Sequence, residues 1–412
     1  MKISLTSLIA FVFFSISVAL ISCNGNEEKL KQYVSQQNPL EIPELLERNG
    51  ELAKEPEWLK TKEKVAELKA KLAGKPEDVK TRLQLATIFI TEQRITGEHH
   101  FYYPAIEKIL NGILSFDPKN FEATVYKASL KMSQHQFAEA KKLAEEARAI
   151  NPSNAYIYGI LVDANVELGD YKMAIAMSDS MQKIKPSLES YARASYLREI
   201  YGDYNGAIEA MKLAVQAGLP SSEPQCWSRN ILGDLYYNIN KLDDAASAYA
   251  ENLAMRKSYA PSMAGLAKVE MKRKNYARAL ALLDSANKIM PQASYDEQKA
   301  DVYSAMGDTK KAMDTYASVQ KALTADANSG HHSVSLELAR VFIKANAWDS
   351  AKKYATMEYN LRPNNIEVNN EMAWIAYNQK DMPKAKEYLT AAMATGSKNP
   401  ELLKRAMLIN GK

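Results

Sequence analysis

The chain of 412 residues is 46% apolar and 25% charged, enough to build a large core and too apolar for bulk disorder. Its 53 Lys and Arg against 49 Asp and Glu leave a formal charge of +4, too small for a nucleic-acid footprint. Two cysteines exclude a disulfide framework and a Cys-rich zinc module, and abundant Ala, Leu, Lys, Glu and Met with few Gly and Pro predict an all-α chain.

In chain order, Lys2 is followed by an uncharged apolar run over 3–22, the pattern of a secretory leader. A run this long could equally stay uncleaved as a spanning helix. Its end, Leu20-Ile21-Ser22-Cys23, resembles the lipobox of bacterial lipoproteins. That resemblance implies cleavage before Cys23, acylation of Cys23, and a place in the cell envelope. Asn24, rather than Asp, favours the outer membrane under the sorting rule of that class. Residues 23–39 then read as a polar tether. Residues 40–78 read as a helical cap, with Trp58, Val65, Leu68 and Leu72 on one helix face.

The body repeats. Pro118, Pro152, Pro186 and Pro220 fall 34 residues apart. Ala140, Ala174, Ala207, Ala245, Ala279, Ala312, Ala351 and Ala385 recur at 33–39, and an aromatic stands three residues before many of them: Phe137, Tyr171, Tyr204, Tyr276 and Trp348. Each unit reads as helix, tight turn, helix, with proline stopping the second helix and alanine letting two backbones approach. Residues 400–412 add a closing helix with Leu402, Ala406 and Ile409 on one face.

Segments 121–154 and 260–293, together with Leu232-Gly233 and Tyr236, resemble the tetratricopeptide repeat. The resemblance implies a right-handed α-solenoid with nine repeats over 79–399. It also implies that the first helix of each unit lines a concave groove. Carried onto this sequence, the groove positions are Trp227, Asn230, Asp234, Tyr237, Lys268, Lys272, Asp301, Arg340, Lys344, Trp374 and Tyr377. A carboxylate clamp known in the family is not matched, because Asn230, Asp234 and Gly265 stand where it needs other residues.

No nucleotide, hydrolase, zinc-protease or calcium-loop motif occurs, so the reading is a non-catalytic protein with no cofactor and no metal. His99, His100, His135, His331 and His332 fall in insertions or turns and read as surface-loop residues. Cys226 reads as a small buried hydrophobe. The function expected is a lipid-anchored scaffold that binds an envelope protein or extended peptide, with no nucleic acid as partner. The alternative is a ligand-capture lipoprotein for glycan or peptide that feeds an outer-membrane transporter, with aromatic faces for stacking.

Overall fold

The computed structural model describes residues 41–330 and 333–411, so Cys23, the leader, the tether and His331-His332 lie outside the described residues. Among the described residues there are twenty α-helices and no strand. No helix among them is long and apolar enough to cross a membrane.

An opening helix, α1 (Glu57–Gly74), buries Trp58, Val65, Leu68 and Leu72 as a cap. Nine helical hairpins follow. They are α2 (Val79–Thr96) with α3 (His99–Phe116), α4 (Phe121–Ser133) with α5 (Phe137–Ile150), and α6 (Ala155–Leu168) with α7 (Tyr171–Ile184). Next come α8 (Leu188–Ile200) with α9 (Tyr204–Ala217), α10 (Glu223–Asn238) with α11 (Leu242–Met255), and α12 (Ala260–Lys272) with α13 (Tyr276–Ile289). The last three are α14 (Ala293–Met306) with α15 (Thr309–Ser329), α16 (Ser335–Lys344) with α17 (Trp348–Leu361), and α18 (Ile366–Asn378) with α19 (Met382–Ala392). A final helix, α20 (Pro400–Ile409), covers the end of the stack and buries Leu402 and Ile409.

Local chemistry sets these boundaries. Side chains such as Asn120, Asp170, Asp203 and Asp308 accept a hydrogen bond from a first-turn N–H and so start their helices. Helices α3, α5, α7 and α9 stop just ahead of Pro118, Pro152, Pro186 and Pro220. The periodic alanines sit at the tightest part of each hairpin. Seven of the eight have no exposed surface and Ala312 has 3%. A larger side chain there would overpack the contact.

First helices pack against the first helices of the next hairpins, as with α4 on α6, α10 on α12 and α16 on α18. They therefore form the shorter, inner arc of an α-solenoid, with the second helices outside.

The arc curves far enough to meet itself. Asn365 Nδ2 donates to the carbonyl of Glu167 at 3.0 Å, and the Ile366 amide donates to the Tyr171 hydroxyl at 2.8 Å. Thr395 Oγ1 donates to the carbonyl of Ile200 at 2.6 Å, and the Ser333 amide to that of Gln134 at 3.3 Å. Arg362 pairs with Glu167 in a buried contact and lies 5.0 Å over the Phe137 ring. Gly169, at φ +80°, lets the chain pass where a Cβ would stand 2.4 Å from the Asn364 carbonyl oxygen. These contacts form a seam that closes hairpins two to four onto hairpins seven to nine.

The insertions in the first and seventh units do not form loops, contrary to the sequence reading. They lengthen helices instead: α2 and α3 have 18 residues each and α15 has 21, against 13 or 14 in α4 to α8. His99 is consequently buried in the first turn of α3 rather than exposed on a loop. His135 lies in the α4–α5 turn at φ +59°, stacked on Phe137. Burial pushes its imidazole down to about 4.

Candidate functional site: the inner helical face

The inner face carries a ladder of charged and polar side chains that join many of the first helices to a neighbour. Asp163 on α6 accepts two hydrogen bonds from Arg193 on α8, at 3.0 and 2.6 Å. Asn238 on α10 donates to Glu199 on α8 at 3.0 Å. Lys268 on α12 pairs with Asp234 on α10. Lys344 on α16 reaches Glu297 and Asp301 on α14, the latter at 2.9 Å. Arg340 binds Glu367 and Glu371 on α18 at 2.9 and 3.0 Å, and Arg405 on α20 closes on Glu371 at 2.8 Å.

The electrostatics follow from burial and pairing. Burial alone would lower Lys344, but Asp301 and Glu297 outweigh it and hold the ammonium well above its ordinary range. Burial would likewise raise Glu371, yet Arg405 and Arg340 hold its carboxyl below the usual value. Burial dominates at Asp301 and raises it.

Tyrosines on the outer helices brace the acids of the ladder. Tyr249 donates to Asp234 at 2.9 Å and Tyr316 to Asp301 at 2.5 Å. The Tyr249 ring fills the space left by Gly233 and Gly265, where an added Cβ would stand 2.5 and 2.4 Å from ring carbon Cε1. That explains why Gly265 occupies a position where a carboxylate clamp would carry a side chain. The side chain there is replaced by a packed tyrosine.

The sequence-selected residues thus divide into two groups. Asp234, Lys268, Asp301, Arg340 and Lys344 are committed to ladder pairs. Trp227 and Tyr237 are buried among the helices, at 6% and 4% exposure, and do not offer an open aromatic face. Asn230 is half-buried and donates to Asp234 at 3.4 Å. Lys272 is exposed, with its ammonium 4.8 Å from the Tyr237 ring centroid. Trp374 and Tyr377 are half-buried and stacked at 5.2 Å and 14°, with the Arg405 guanidinium 5.4 Å over the indole.

Sequence reasoning missed the partners that complete the ladder: Asp163, Arg193, Glu199, Glu367, Glu371 and Arg405. A signal was available, since Arg193 and Asp163 are 30 residues apart, Lys268 and Asp234 are 34 apart, and Arg405 and Glu371 are 34 apart. Opposite charges separated by about one repeat can meet across neighbouring first helices. Cys226 is fully buried on α10, and burial pushes its thiol up, as befits a packed rather than a reactive cysteine.

A small open cleft lies beside the seam, lined by Tyr204, Glu199, Glu367, Asn370 and Asn399 among others.

Comparison with known proteins agrees with this geometry. Residues 262–341 match the family profile of the tetratricopeptide repeat-like domain, and residues 127–189 match that of the tetratricopeptide repeat. No curated protein sequence matches the chain. Similar solved structures include PilW, a widely conserved type IV pilus biogenesis factor, at 16% identity and a TM-score of 0.42 over 49% of this chain and 92% of that one. Another is the APC/C hetero-tetramer Cut9-Hcn1, at 13% identity and 0.47 over 82% and 64%. A third is a tetratricopeptide repeat protein from Parabacteroides merdae, at 14% identity and 0.39 over 70% and 98%. Two family profiles thus match inside an unbroken run of helical hairpins, and residues 127–189 and 262–341 carry tetratricopeptide-type repeats.

Proposed function

We propose that this protein is a non-catalytic adaptor, lipid-anchored through Cys23 in a bacterial cell envelope, that holds an envelope protein or extended peptide against its inner face. The tetratricopeptide scaffold itself is suited to protein–protein interaction. The observation that carries the reading is the division of the inner face. Most of its charge is spent internally, and what stays accessible is the Lys272 ammonium and the half-buried Trp374–Tyr377 stack. Rigid aromatic and cationic groups on a pre-ordered surface lose little entropy on binding and suit a peptide or partner helix. Anchoring by Cys23 would confine the scaffold to a membrane surface and raise its effective concentration near membrane partners. The leader and lipobox motif supports that address, and the outer membrane is the side favoured by Asn24.

In-cell crosslinking of the lipidated chain followed by mass spectrometry tests the proposal. One dominant envelope protein should be captured, and Lys272→Glu or the double change Trp374→Ala with Tyr377→Ala should abolish capture while the fold persists. Capture unaffected by those changes, or only a transporter alongside binding of soluble glycan, would contradict the adaptor reading. Cys23→Ala should release the protein from membranes; continued attachment would contradict lipidation and leave an uncleaved leader as the anchor.

A further inference from the structure

The two lengthened regions meet. Extra residues in the first hairpin carry His99 and His100 into the start of α3, and extra residues in the seventh carry Asp326 to the end of α15. Between them, His99 Nε2 stands 3.6 Å from Asp326 Oδ2 and His100 Nε2 stands 3.2 Å from Asp326 Oδ1. All three donor atoms lie within 4.8 Å of one another. From this convergence we infer that His99, His100 and Asp326 form a binding site for a divalent transition-metal ion of the zinc class, joining the first hairpin to the seventh.

Four features support a built site. The first is burial: the side chains of His99 and Asp326 are 0% and 3% exposed, while His100, at 22%, leaves a path for an ion to enter. The second is tautomer. His99 Nδ1 lies 3.0 Å from the carbonyl of Gly97, an acceptor that requires a proton on Nδ1. Nε2 is then the ring atom that faces Asp326. A backbone acceptor on the far nitrogen is the arrangement that orients metal-bound histidines.

The third is distance. A charge-assisted N–H···O bond is about 2.7–2.9 Å long. Donors bound at 2.0–2.1 Å around a tetrahedral zinc ion are held about 3.3 Å apart. The observed 3.2 and 3.6 Å, to the two oxygens of Asp326, lie nearer the second value, and a bound ion would draw the three donors in from their present spread of up to 4.8 Å. The fourth is chemistry: two imidazole nitrogens and one carboxylate oxygen suit zinc and its neighbours rather than calcium or magnesium, which prefer all-oxygen shells.

Such an ion would act as a clasp. Near it, Gly97 passes so close to Gln292 that an added Cβ would be 2.7 Å from its amide nitrogen, so the first hairpin already lies against the start of the seventh. Metal held there would lock the same closure that the seam makes farther along. Binding needs neutral imidazoles and an ionised carboxylate, and it releases whatever protons those groups carried.

The test uses the full chain, purified in detergent without a histidine tag and stripped of metal, titrated with zinc chloride by calorimetry. The expected result is one saturable site per chain, with a thermal midpoint raised by several degrees in zinc. Asp326→Asn and His100→Ala should each weaken that site by at least ~100-fold, beyond the ~10–100-fold that loss of a supporting hydrogen bond produces. Both variants should also lose the zinc-dependent shift. Their circular dichroism and metal-free melting should match the parent, which separates loss of a ligand from loss of the fold. Absence of a saturable site in the parent would overturn the inference. Parental affinity in both variants would overturn it too, by placing the bound zinc on other residues.

Discussion

The hairpin stack and the seam join residues at different distances along the chain. Within the stack, buried alanines such as Ala174 and Ala207 recur every 33–39 positions, and the polar ladder of the inner face joins residues 27–47 apart. Across the seam, the hydrogen bonds and the ion pair join residues 195–199 apart: an amide to a tyrosine hydroxyl, an asparagine to a carbonyl, a buried Arg362–Glu167 pair, with Ile366 packed into the apolar core of hairpins two to five. A stack of nearest-neighbour contacts has stability that sums locally, so damage to one repeat stays near it. A seam couples hairpins five repeats apart, so damage on either side reaches the other.

That contrast predicts a graded set of mutational effects. The largest belongs to Arg362→Met, which strands Glu358, a buried carboxylate that Arg362 holds below its ordinary range. It should destabilise by ~3–5 kcal/mol in denaturant unfolding, since breaking one partner of a buried pair leaves an uncompensated charge. Next is Gly169→Ala. Its positive φ alone sets a penalty of about 1–2 kcal/mol for any Cβ, and here the Cβ also meets the Asn364 backbone. Gly307→Ala is the matched control. Gly307 also ends a helix at positive φ, +82°, but has nothing within 4 Å of the added Cβ, so only the ~1–2 kcal/mol conformational penalty should appear. Equal losses at the two glycines would show that the seam contributes nothing.

Inside the stack, Ala279→Leu should destabilise by ~1–3 kcal/mol through overpacking, with its effect confined to the sixth hairpin and its neighbours. Spread of that loss to the seam would blur the distinction between the two regions.

Acid should produce the smallest and most gradual change. Burial opposes ionisation of Glu358 and Glu371, but Arg362 at the first and Arg405 with Arg340 at the second hold both carboxyls below the ordinary value. A folded-state value below the unfolded one means that the stabilisation is present above about pH 4.3, the unfolded glutamate value, and is lost as pH falls further. Below about pH 5 the melting temperature should fall as these carboxylates protonate, and Glu371→Gln should flatten part of that fall.

Legibility follows the same division. The hairpins could be read because periodic alanines, prolines and helix caps are local signals repeated many times. The capping helices could be read from the spacing of Trp58, Val65, Leu68 and Leu72 and of Leu402 and Ile409. The seam could not, because Gly169, Asn365 and Thr395 carry ordinary turn or cap chemistry in their own repeats, and nothing local marks the distant partner. The inner face lies between these extremes. Its positions came from resemblance to the family, but sequence could not show that Asp301 and Lys344 satisfy each other, nor that Trp227 is covered. The histidines misled because extra residues in a repeat read as loop, whereas here they extend α3 and α15 until the two meet.

Closure of the solenoid on itself is the central claim, and hydrogen-exchange mass spectrometry of Gly169→Ala beside Gly307→Ala tests it most directly. A closed turn predicts that Gly169→Ala speeds exchange both in the third hairpin and in residues 363–399, while Gly307→Ala changes only the hairpins around it. If faster exchange in Gly169→Ala stayed within the third hairpin and its immediate neighbours, the seam would not be a structural contact and the account would fail.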